Sequence, residues 1–277
     1  MNYLVIQGLE VETPDLKEIA KLCSAERIEG LGNQAFRLHE YKTEKGVAEY
    51  CAGAKLDFAF VPKPRRLADF GLVAMDMDST LITIECIDEI ADLQGVKPEV
   101  AAITASAMRG EIDYPESLRR RVALLEGLPE SALARVYDER LRLSPGAERM
   151  LQRLRSLAIK TLLVSGGFTY FTERLMARLS LDYILSNTLE IQNGKLTGQV
   201  LGPIVDAKAK AAKLRELREK RELSREQVIA FGDGANDLAM MAEAGVSIAY
   251  HAKPVVREKA TYCFDYVGLD GMLNLYA

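Results

Sequence analysis

In Gly71-Leu72-Val73-Ala74-Met75-Asp76-Met77-Asp78-Ser79-Thr80, an apolar run of the length of a buried parallel strand stops at two acids one residue apart, followed by two hydroxyls. In an extended chain residues i and i+2 face the same side, so Asp76 and Asp78 flank one point just past the strand's carboxyl end. Open α/β sheets bind their ligands at such points. Read alone, the stretch is equally a strand followed by a solvated acidic turn. Two later stretches decide between these readings.

Thr161-Leu162-Leu163-Val164-Ser165-Gly166-Gly167 ends a second apolar run in a serine and two glycines at a strand-to-helix junction. Such a junction exposes backbone N–H groups and a hydroxyl, the donors that hold a phosphate. Val228-Ile229-Ala230-Phe231-Gly232-Asp233-Gly234-Ala235-Asn236-Asp237 ends a third, with glycines that let a ligand approach the backbone and an acid at the strand end. Carboxylate oxygens are natural Mg²⁺ ligands. Singly, these are a glycine-rich loop and an Asx-type turn. Together, three strand ends suit carboxylate–metal–phosphate chemistry, and Lys210 supplies a cation between the second and third. Asp76 attacking a phosphoryl group would need that charge to be neutralised by metal, lysine and N–H donors. Asp78, held protonated, would protonate the leaving alkoxide.

Upstream, short runs alternate in the order β-α-β-β-α-β over residues 3–61, with a turn at Gly30-Leu31-Gly32-Asn33. That order predicts a small ferredoxin-like α+β unit at residues 1–66, placed like an ACT-type regulatory domain. Pro62-Lys63-Pro64-Arg65-Arg66 reads as a stiff, charged linker. Residues 86–143 are helical in period, broken at Gly95, Gly110 and Gly127-Leu128-Pro129. The pattern from 144 to 277 returns to α/β. It has a turn at 165–167, short strands at 183–186 and 189–191, a hairpin turn at Asn193-Gly194, and helices over 207–220 and 238–244. The fold class is therefore α/β, a doubly wound parallel sheet at 70–85 and 144–277 with a helical insert and a small amino-terminal unit.

The 277 residues carry a net charge of −4, so no global basic field asks for nucleic acid. Four scattered cysteines and two distant histidines fit no zinc spacing and read as buried thiols of a reducing compartment. Without a signal-type amino terminus or an apolar run of spanning length, a cytoplasmic protein is expected.

Asp-x-Asp-Ser-Thr, Ser-Gly-Gly-Phe, a following lysine and Gly-Asp-Gly-Ala-Asn-Asp resemble the haloacid dehalogenase superfamily of phosphatases. The runs Glu85-Cys86-Ile87-Asp88-Glu89-Ile90-Ala91, Ala107-Met108-Arg109-Gly110, Ser117-Leu118-Arg119-Arg120-Arg121-Val122 and Ile248-Ala249-Tyr250-His251-Ala252-Lys253-Pro254 are similar to those of its phosphoserine phosphatases. The resemblance covers about residues 70–277 and makes 86–143 a cap. It implies hydrolysis of O-phospho-L-serine, at the end of L-serine biosynthesis, through a phospho-aspartyl intermediate. Asp76 would be nucleophile and Mg²⁺ ligand. Asp78 would be acid/base, with its carbonyl on the metal. Asp233 would be the remaining ligand and Asp237 a nearby support. Ser165, Gly166 and Lys210 would hold the phosphoryl group; Lys208 competes, but spacing from the Asn193-Gly194 hairpin favours Lys210. Asn236 would touch phosphate or amino acid.

Glu85 and Arg121 suit the ammonium and carboxylate of an amino acid. An exposed helix face is the other reading of Arg121, one of three consecutive arginines. Met108 and Tyr114 line the cap wall or pack its core, and His251 is structural. The expected partner is a small phosphorylated molecule, with no nucleic acid or membrane and with room for a homodimer. Rival readings are another phosphomonoester, phosphoryl transfer to an acceptor such as homoserine, and a non-catalytic serine or phosphoserine sensor built on residues 1–62.

Overall fold

The computed structural model describes residues 2–276. Its first unit is β1 (Tyr3–Gln7), α1 (Thr13–Cys23), β2 (Arg27–Gly32), β3 (Ala35–His39), α2 (Val47–Ala54) and β4 (Asp57–Val61). The strands form an antiparallel sheet in the order β2-β3-β1-β4. β2 runs through Gly32, so the hairpin turns at Asn33 and Gln34, both with positive φ, rather than at the glycines. Alternation along β1 sends Leu4 and Ile6 to a cluster with Ile19 of α1 and Cys51 of α2, and Tyr3 and Val5 to the opposite face.

The second unit begins at β5 (Leu72–Met75). The insert contributes α3 (Cys86–Gln94), α4 (Lys97–Met108), α5 (Tyr114–Ala123) and α6 (Ser131–Arg135). Then come α7 (Ala147–Ser156), β6 (Lys160–Phe168), α8 (Thr169–Leu179), β7 (Tyr183–Gln192), β8 (Lys195–Leu201), α9 (Ala207–Lys220), β9 (Val228–Gly232), α10 (Leu238–Met241), β10 (Val246–Tyr250), α11 (Pro254–Arg257) and β11 (Tyr262–Phe264). Seven strands pair in the order β11-β10-β9-β5-β6-β7-β8, parallel except for the antiparallel β7–β8 edge. Leu72 and Ala74 face α9 and α10, whereas Val73 and Met75 face α7 and α8, so β5 is buried on both sides.

Several local expectations change. Ser165-Gly166-Gly167 continues β6 instead of turning, and the two short strands near 186 are one, β7. The helix expected over 238–244 stops at Met241. Residues 62–66 run between the two units as an irregular, mostly exposed segment, yet the units it joins pack together. Tyr3, Val5, Ala59 and Val61 share one hydrophobic cluster with Phe70, Met272 and Leu275, so the small sheet's second face is buried against the larger unit. Buried Asp57 accepts from the backbone N–H groups of Asp265, Tyr266 and Val267 at 2.8 to 2.9 Å. Arg65 lies over the Phe70 ring at 4.1 Å and bonds the Glu226 carbonyl. Cys23, Cys51 and Cys86 are buried and Cys263 is half-buried, all as free thiols. Among the described residues no helix is long and apolar enough to cross a membrane.

Candidate active site

The chain leaves β5 for β6 on one side and returns in β9 on the other, a topological switch point at the carboxyl ends of three adjacent parallel strands. Met75 pairs with Leu163 and Phe231, and the Asp76 N–H donates to the Phe231 carbonyl at 3.2 Å. Asp76, Ser165 and Asp233 are thereby brought to one edge.

After Asp76 the backbone closes an irregular turn over Met77–Leu81, with Leu81 N–H on the Asp76 carbonyl and Ser79 left-handed at φ 55°. This turn aims Asp78 at the start of α3, where the Cys86 N–H donates to its Oδ1 at 2.8 Å. The Ser165 hydroxyl donates to Asp78 Oδ2 at 3.1 Å and accepts from Gly167 N–H at 2.8 Å. Ser165 is fully buried with its hydroxyl turned to Asp78; Gly166 and Gly167 face the cavity. A Cβ on Gly167 would meet Asp78 Oδ2 at 2.9 Å, so glycine is required for this close approach.

Lys210 enters from α9. Asp206 caps that helix by accepting from Ala209 N–H at 2.8 Å, which fixes Lys210 one turn in. Its Nζ donates to Asp76 Oδ1 at 2.6 Å and Asp237 Oδ1 at 2.8 Å, with all three side chains buried. Burial alone would favour neutral Lys210, but Asp237 and Asp76 outweigh it and hold the proton above the ordinary lysine range. Lys208 is exposed.

Asp76, Asp233 and Asp237 bring carboxylate oxygens within 4.8 Å of one another. Three carboxylates against one lysine leave surplus negative charge. Burial, then repulsion from Asp237, pushes Asp76 well up and Asp233 to about 6. An all-oxygen, electron-rich donor set of this kind fits a hard divalent cation. Asp237 has both oxygens engaged, Oδ1 by Lys210 and Oδ2 by the N–H groups of Asp233 and Gly234 at 3.3 and 3.2 Å, which suits it to orienting its neighbours.

Asp76, Asp78, Lys210 and Asp233 line a cavity of about 620 Å³, roofed by the insert. Glu85 and Arg121 face the same cavity, so the exposed-face reading of Arg121 gives way. Burial, then the nearby Asp78 charge, raises Glu85 to about 7, and the Ser79 hydroxyl donates to its Oε1 at 2.7 Å. Asn236 lines the rim; Met108 and Tyr114 line the roof, Met108 with 70 % exposure. His251 is exposed and outside the lining. Sequence reasoning gave no role to Lys253, whose N–H donates to the Asp233 carbonyl at 3.0 Å and which lines the cavity; its position just ahead of Pro254 was the available signal.

The family model for haloacid dehalogenase-like hydrolase matches residues 73–242, and one for a domain of unknown function matches residues 4–43. A phosphoserine phosphatase of Polaromonas sp. is 55% identical, over 76% of this chain and 91% of the relative. The crystal structure of a probable phosphoserine phosphatase from Vibrio cholerae superposes with a TM-score of 0.87 at 39% identity, over 99% of this chain and 85% of that one. A phospho-aspartyl intermediate analogue of a phosphoserine phosphatase gives 0.70 at 38% identity, over 75% of this chain and 99% of that one.

Proposed function

The chain belongs to the haloacid dehalogenase-like hydrolase family, and from that premise we propose that it hydrolyses O-phospho-L-serine to L-serine and phosphate. The observation that carries this reading is the single cavity with Asp76, Asp78 and Lys210 on its floor and Glu85 and Arg121 on its wall. The floor suits a phosphoryl group, and the wall offers a carboxylate for an ammonium and a guanidinium for a carboxylate.

Asp76 attacks phosphorus and forms an aspartyl phosphate while the serine oxygen leaves. Asp78 gives that oxygen its proton and then takes one from the water that cleaves the acyl phosphate, returning phosphate and free Asp76. Lys210 and the Gly166 N–H meet charge on the phosphoryl oxygens. Asp76, Asp233 and the Asp78 carbonyl would hold Mg²⁺, which when bound supplies charge neutralisation at the phosphoryl oxygens. Asp237 keeps Lys210 in place. Ser165 acts on the phosphoryl group through its bonds to Asp78 and Gly167, and Asn236 closes the rim. Residues 86–143 serve as the cap, 70–85 and 144–277 as the catalytic core, and 1–66 as an accessory unit. The compartment is the cytoplasm, and the assembly a homodimer, which sedimentation tests.

Phosphoserine turnover quenched in acid should leave one phosphoryl group on the peptide containing Asp76, labile to hydroxylamine. Asp76→Asn should lose both label and turnover. Substantial residual turnover in that variant rules out the covalent route.

A further inference from the structure

Resting on the reading above, we infer that the hydroxyl of Tyr114 is a latch between the insert and the phosphate-binding segment, positioning the Gly166 carbonyl and with it the Gly166–Gly167 peptide when the cavity is shut. An apolar wall needs only the ring. The hydroxyl does something more specific: it donates to the Gly166 carbonyl at 3.1 Å.

Both ends of that bond are held by built structure. Tyr114 opens α5, where Asp113 accepts from Glu116 N–H at 2.8 Å and Pro115 fixes the first turn, so the ring is carried by a capped helix. The Gly166 carbonyl also accepts from Asn187 Nδ2 at 2.8 Å, and Asn187, buried in β7, has its Oδ1 held by Val205 N–H at 2.8 Å. One bond on this carbonyl therefore comes from the sheet and the other from the insert. The peptide continues to Gly167 N–H, which donates to Ser165 Oγ, and Ser165 reaches Asp78. A continuous run of bonded groups thus joins the roof of the cavity to the proposed acid. Burial pushes the Tyr114 phenol up to about 12, so it stays a donor throughout the neutral range. Space is equally specific, since a Cβ on Gly166 would lie 2.2 Å from the Tyr114 hydroxyl oxygen but 3.2 Å from the ring carbon that bears it.

The test is Tyr114→Phe in the full chain with Mg²⁺, assayed on phosphoserine and on para-nitrophenyl phosphate. A net hydrogen bond corresponds to about a three- to tenfold effect. The latch predicts a loss of that size in kcat on both substrates, with KM nearly unchanged. Exchange at Gly167 N–H should quicken while the melting temperature holds. Gly166→Ala should be severely impaired beside Tyr114 and partly rescued in the double variant Tyr114→Phe/Gly166→Ala, where the clashing oxygen is gone. Wild-type kcat on both substrates overturns the inference, as does impairment by Gly166→Ala that is equal in both backgrounds. Loss confined to phosphoserine also overturns it, making Tyr114 a contact for the amino acid alone. If the wild-type chain turned over para-nitrophenyl phosphate but not phosphoserine, the proposed substrate would fall while the latch remained measurable.

Discussion

Lys210 is buried between Asp76 and Asp237, and removing its charge sets two carboxylates against each other without a cation. Lys210→Met should cost on the order of a hundredfold or more in kcat, read from steady-state phosphate release. Loss under threefold would show the lysine to be structural. Asp233 and Glu85 give a pH signature in the metal-free protein. Their pKa values are raised to about 6 and about 7, so the stability they confer is complete below their ordinary values, 3.8 and 4.5, and is lost as pH rises through the raised ones. The melting temperature should fall across that window, and Mg²⁺ should stabilise the protein more toward its alkaline end. Glu85→Gln should flatten the upper part of the fall. That Asp76, Asp78 and Asp233 meet at one sheet edge was legible because acids end two apolar runs of strand length, Asp233 between two glycines. The bond from Ser79 to Glu85 was not, since it depends on a left-handed φ at Ser79 that no residue type there demands.

Elements with a strong period were the most readable. β5, α7 and α9 lie where their apolar spacing puts them, because burial on one stripe or on both faces leaves no competing arrangement. Residues 165–167 misled because Ser-Gly-Gly is ordinarily a turn, whereas here Asn187 pairs with Phe168 and extends β6 past it. β11 and the 3₁₀ turns of Leu269–Leu275 escaped notice because they are short and take their order from tertiary contacts. Gly146 tests one such contact. It starts α7 at φ 76°, and a Cβ there would meet the Asp270 backbone nitrogen at 2.7 Å. Gly146→Ala should destabilise by roughly 1–3 kcal/mol in urea. An unchanged midpoint would show that this helix start yields freely.

At the scale of the whole molecule, the amino-terminal sheet is bonded to the larger unit through buried groups that sequence pattern cannot pair. Asp57 reaches the N–H groups of residues 265–267, Tyr3 the Leu275 carbonyl and Arg37 the Asn274 carbonyl. Asp57→Ala would orphan three donors and should cost on the order of 3 kcal/mol of stability, with kcat little changed in the folded fraction. Removal of residues 1–66 should uncover Phe70, Met272 and Leu275 and lower the melting temperature sharply; an unchanged value would make the two units independent. The joined sheets carry the site as one body, and its substrate is the most direct point of attack. The deciding measurement is Mg²⁺-dependent phosphate release from phosphoserine, phosphothreonine, phosphohomoserine and a few sugar phosphates. A strong preference for phosphoserine is the predicted result. A flat profile, or no Mg²⁺-dependent release from phosphoserine, would contradict the roles given to Glu85 and Arg121.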